Sequence, residues 1–100
     1  MIKGTTPTHV FMIPLLESEI KTVEITYSQD DKEILQKHTE DCVIEDGAVT
    51  VKLSQEETFA FDHKKRIQCQ IRILTTSNEV QSSKVKLLTV EQCLSDEVLS

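Results

Sequence analysis

Tryptophan is absent from this sequence, and the aromatic side chains are only Phe11, Tyr27, Phe59 and Phe61. Bases and sugars are commonly held by stacking on aromatic faces, so this scarcity counts against both as ligands. Glycine occurs only at positions 4 and 47, too few for a loop whose backbone amides wrap a phosphate. No stretch approaches the ~20 consecutive apolar residues that cross a bilayer. The first residues, Met1 to Pro7, also lack the apolar run of a secretory leader. The expectation is a soluble chain made in the cytoplasm, with no membrane partner. Positive charge is the scarcer sign, 11 Lys and Arg against 17 Asp and Glu for a net charge of −6. Because nucleic-acid affinity comes largely from cations neutralising phosphates, no nucleic-acid partner is expected. The one basic cluster, His63-Lys64-Lys65-Arg66, opens a predicted strand and reads as a solvated turn or an edge guard.

Cys42, Cys69 and Cys93 are odd in number and far apart, matching neither a disulfide framework nor a C-x-x-C metal or redox motif. They read as free, buried thiols. At 100 residues the chain suits one domain with one modest core, stable without a metal or a disulfide.

The segments that are present alternate. His9 to Ile13 is a short apolar run closed by Pro14, which has no N–H for a sheet ladder. From Ile20 to Tyr27 the chain has period two, with Val23, Ile25 and Tyr27 toward a core. The polar stretch Ser28 to Lys32 separates it from Glu33–His38, which suits a hairpin. Cys42–Glu45 and Ala48–Leu53 flank Asp46-Gly47, a pair fitted to a type I′ turn because both central residues need positive φ. Val49, Val51 and Leu53 belong on its buried face. Ser54 followed by Glu57 has the reciprocal spacing of a capping box, which predicts one helical turn near 54–58, with Phe59 and Phe61 plugging the end of the core. Ile67, Cys69, Ile71 and Ile73 alternate with polar residues in the longest regular run, which should be a central strand. Val80 to Leu88 fits its partner if a bulge near Ser82-Ser83 corrects the phase. After Leu88, Val90, Cys93, Leu94 and Val98 recur at helical intervals; a short amphipathic C-terminal helix and a flexible arm both fit.

About seven short strands at roughly ten-residue spacing, with turn signals between them, predict an all-β, antiparallel, immunoglobulin-like β-sandwich over residues 1–88, followed by a tail over 89–100. A small barrel is the second choice.

Chemistry is poorly supplied. His9, His38 and His63 are isolated, and Asp62-His63 would point to opposite faces of a strand, so neither a metal nor any other cofactor is expected. None of the three cysteines has an evident activating base. The acidic pairs Asp30-Asp31, Glu40-Asp41, Glu45-Asp46 and Glu56-Glu57 read as solvated turns rather than as carboxyls set across a cleft, and the spacing of a calcium loop is missing. An enzyme is not expected, and the candidate interaction residues are Val90, Cys93, Leu94 and Val98 on the tail.

The stretch Ile2-Lys3-Gly4-Thr5-Thr6-Pro7-Thr8-His9, together with Ile25–Gln29, Thr39–Cys42 and Leu53–Thr58, resembles small uncharacterised proteins of phages and prophages in Gram-positive bacteria. The resemblance spans nearly the whole chain and brings no catalytic motif. It implies a phage-derived product, made in the host cytoplasm with the virion as a destination, and a non-enzymatic structural or assembly role: decoration, connector or baseplate. Its partners would be itself or other phage proteins. A small acidic regulator or host-factor antagonist is the alternative, and a hydrolase or metal enzyme the remote one.

Overall fold

The computed structural model describes residues 4–13, 15–45, 47–62 and 64–82, and the backbone of 86–88. Strands dominate: β1 (Thr8–Met12), β2 (Ile20–Gln29), β3 (Lys32–His38), β4 (Cys42–Glu45), β5 (Ala48–Lys52), β6 (Ile67–Thr75), β7 (Val80–Ser82) and β8 (Lys86–Leu88). One α-helical turn, α1 (Gln55–Phe59), joins β5 to β6, and single 3-10 turns lie at Glu17–Glu19 and Thr39–Asp41.

All pairings are antiparallel and form two sheets, β1-β5-β4 and β3-β2-β6-β7, with β8 also on β6. That connectivity is the immunoglobulin-like sandwich. In its usual lettering β1 stands at B, β2 at C, β3 at C′, β4 at D, β5 at E and β6 at F, while β7 and β8 share G. β6 is central, as its regular alternation predicts. The expected bulge in the last strand is visible as a register change. Arg72 pairs with Ser82 and Cys69 with Lys86, a shift of one residue in register between β7 and β8. Ser83, within that interval, lies outside the described residues.

Alternation explains the core. Val23, Ile25 and Tyr27 of β2 meet Ile73, Ile71 and Cys69 of β6 across the inner face of one sheet. Phe11 of β1 and Val49 and Val51 of β5 face them from the other, with Leu53 and Phe61 closing one end. Phe61 meets Tyr27 edge-on, with centroids 6.0 Å apart. Phe59 is only half-buried, so the end of the core has one plug rather than two.

Turn chemistry sets the hairpins. β2 and β3 join through Asp30 (φ 49°) and Asp31 (φ 63°), a two-residue turn with both positions left-handed. The strands therefore run further into the polar stretch than its composition suggests. In the β4–β5 hairpin Gly47 has φ 82°, as a type I′ turn requires; Asp46 lies outside the described residues. Ser54 Oγ accepts from Glu57 N–H at 3.1 Å and Glu57 returns a carboxylate oxygen to Ser54 N–H at 2.8 Å, completing the predicted capping box.

Candidate functional site: the open flank of the sandwich

A sandwich has two flanks where the edge strands of its sheets run side by side, and here the two differ. On one flank β3 and β4 are the edges. Lys37 points inward from β3, since its ladder partner Ile25 is buried, and its Nζ meets Glu57 of α1 at 2.6 Å. An inward charge on an edge strand discourages further pairing. Glu57 is partly desolvated, yet the Lys37 ammonium and the Ser54 amide hold its carboxyl below the usual range.

On the other flank the edges are β1 and the β7–β8 strand. Leu53 N–H donates to Pro7 C=O at 3.0 Å and Ile13 N–H to Gly47 C=O at 2.9 Å. Bonded pairs alternate along an antiparallel ladder, so His9 and Phe11 are the β1 residues bonded to β5. The N–H and C=O groups of Thr8, Val10 and Met12 point the other way, where strand A lies in a complete immunoglobulin sheet. Among the described residues no strand occupies that position. A groove of about 160 Å³ opens there, between Met12, Ile13 and Leu15 on one side and Ile71, Ile73 and Gln81 on the other.

Exposed apolar side chains gather at the same place. Of the large hydrophobic residues exposed in the structure, Val10 (49%), Met12 (76%) and Val80 (59%) lie on the two edge strands and Leu16 just beyond β1; Val43 (60%) is on β4. β1 is thus apolar on both faces: Phe11 inward, Val10 and Met12 outward. Val10 and Val43 both flank Thr50 on the outer face of the sheet.

The chain matches no family model and no curated protein. Among solved structures it is similar to the extracellular domain of mouse leukocyte-associated immunoglobulin-like receptor 1, crystallised as a strand-swapped dimer. Sequence identity is 14% over 90% of this chain and 83% of that one, with a TM-score of 0.46.

The residues favoured by sequence for interaction, Val90, Cys93, Leu94 and Val98, lie outside the described residues, as does His63. The remaining chemistry-bearing residues are placed as follows. His9 Nδ1 lies 2.7 Å from the Tyr27 hydroxyl. Burial pushes the imidazole below its ordinary value, favouring the neutral ring, and pushes the phenol upward, so the bond joins two neutral groups and its direction is set by the imidazole tautomer. Cys69 is buried beside Tyr27, its cross-strand partner. Cys42 is half-buried, its thiol raised by desolvation and by Asp41, the reverse of an activated nucleophile. No three His, Cys, Asp or Glu side chains among the described residues are grouped to hold a metal. Of the basic cluster, Lys64, Lys65 and Arg66 are exposed, and Lys65 pairs with Asp30 at 2.7 Å.

Val10 and Met12 are the site residues missed by periodicity. One signal was available: a strand with apolar side chains at both parities expects cover on both faces.

Proposed function

We propose that this chain is a non-enzymatic binding module that acts through protein–protein contacts, in the manner of a phage structural or assembly component. The observation carrying the reading is the β1 edge, whose backbone groups at Thr8, Val10 and Met12 have no strand partner among the described residues and lie beside an apolar groove. Such an edge accepts an added strand, whose backbone supplies affinity and whose alternate side chains fill the groove. The resemblance to phage and prophage proteins supports the setting, a host cytoplasm in which virion parts assemble.

Co-expression with the products of the flanking genes, followed by affinity capture of the pure components, tests this. At least one product should be retained by the native chain and lost with Val10→Pro, which removes an edge N–H while keeping a strand-compatible φ. Retention that ignores Val10→Pro, or no association with any product or with itself, overturns the reading. An acidic antagonist would instead bind through charge, and its complex would collapse between low and high salt.

A further inference from the structure

We infer that the open edge is self-complementary: β1 pairs antiparallel with β1 of a second copy of this chain, about a two-fold axis through Val10. This rests on reading the flank as a contact surface and names its occupant. Three observations lead there.

The first is the ladder phase. The outward groups belong to Thr8, Val10 and Met12. The antiparallel register that engages all three sets Val10 opposite Val10 of the second copy and Thr8 opposite its Met12. β1 has a constant register against β5, with no bulge. Nor does it contain a proline or a charged residue. It therefore lacks the devices by which edges usually refuse partners, whereas the opposite flank carries Lys37 and Glu57.

The second is charge. The chain carries −6, yet between Lys3 and Glu17 there is no Asp, Glu, Lys or Arg. Two copies of an acidic domain repel over most of their surfaces, and this uncharged segment is where they meet without facing like charge. The chain's own segment after Leu88 carries Glu91, Asp96 and Glu97, and an apolar groove suits it less well.

The third is the outer face. Pairing at Val10 joins the three-stranded sheets of the two copies into one. The row Val43, Thr50, Val10 then continues into its two-fold mate, so the exposed Val10 and Met12 side chains gain neighbours.

Light scattering of the full chain over a concentration series should show the mass rising from that of one chain toward twice that value. Added salt should leave the association intact or tighten it, because it screens the net repulsion. Val10→Pro should hold the protein at one chain's mass, and Val43→Lys, on the far strand, should leave the dimer. Val10→Cys supplies a second readout. Opposed Cα atoms in a bonded pair sit ~5.5 Å apart, within disulfide range. Mild oxidation should therefore give a covalent dimer through that position, absent from the native protein treated alike. A native chain that stays monomeric, or a dimer untouched by Val10→Pro, overturns the proposal. So does an internal disulfide from the new cysteine to Cys93, which would make the tail the occupant. If the native chain is monomeric while binding to a neighbouring gene product is lost in Val10→Pro, self-pairing falls and the contact-surface reading stands.

Discussion

Gln29 is the side chain whose replacement should reveal most about how the domain is held. It ends β2 on the inward parity and is only 4% exposed. Its amide makes three hydrogen bonds to one loop: Nε2 donates to Asp62 C=O at 2.9 Å and to Lys65 C=O at 3.0 Å, and Oε1 accepts from Asp62 N–H at 2.9 Å. These bonds tie the connection between α1 and β6 to the β2–β3 hairpin. Gln29→Leu keeps the approximate volume and removes all three. At about 1 kcal/mol net for each bond, with partial resolvation of a loop near the surface, the loss should be about 2–4 kcal/mol. That corresponds to a fall in Tm of roughly 10–25 °C for a domain of this size. Gln29→Glu keeps the acceptor but turns a carboxylate on two carbonyls. It should cost at least as much near neutrality and recover as acid protonates the new side chain. By contrast, Lys65→Met, which removes the exposed pair with Asp30, should leave stability nearly unchanged, because solvent screens an ion pair at the surface. Urea unfolding followed by the fluorescence of Tyr27, the sole tyrosine in a chain without tryptophan, measures all three. A Gln29→Leu protein within ~0.5 kcal/mol of the native one would refute the clamp.

Burial holds His9 below its ordinary value of 6.5, so below that pH the unfolded chain binds more protons and stability falls. The decline should end once the folded-state imidazole also protonates, and His9→Asn should remove this component from the pH dependence of the urea midpoint. Gly47→Ala forces alanine to φ 82° with its Cβ in ordinary contact, 3.8 Å, with the Ile13 carbonyl oxygen; the cost should be about 1 kcal/mol, all of it backbone strain. In the other hairpin, Asp31→Gly relieves a non-glycine residue at φ 63° and should be neutral to stabilising by about 0.5–1 kcal/mol in the same assay. Ser54→Ala removes the cap of α1 and should cost about 1 kcal/mol. Lys37→Val strips the charge from the β3 edge and should produce species larger than a dimer in light scattering.

Period two was enough to assign the inner faces of β2, β5 and β6, because each of these strands has one buried and one wetter side and a slip of one residue would invert both. The capping box at Ser54 and the glycine turn at 47 were legible because their chemistry is local. Gln29 was not, since a polar residue at a turn looks solvated until the distant 62–65 loop is folded against it. Lys37 reads as a surface residue for the same reason; its inward direction follows from pairing with β2, and its partner lies twenty residues on. The open flank depends on which strands become edges, and sheet order is a long-range property that no window of sequence contains. What β1 did show, apolar residues on both faces, was compatible with a buried strand as much as with an uncovered one.

Amide hydrogen exchange along β1, read residue by residue by NMR, tests the open edge most directly. In dilute solution the His9 and Phe11 amides, bonded to β5, should exchange slowly, while those of Val10 and Met12 exchange rapidly. At high protein concentration, or with a bound partner, Val10 and Met12 should become protected. Slow exchange at Val10 and Met12 already in the dilute monomer would mean the edge is covered. Fast exchange that persists under every binding condition would mean it is never used, and either result contradicts the account.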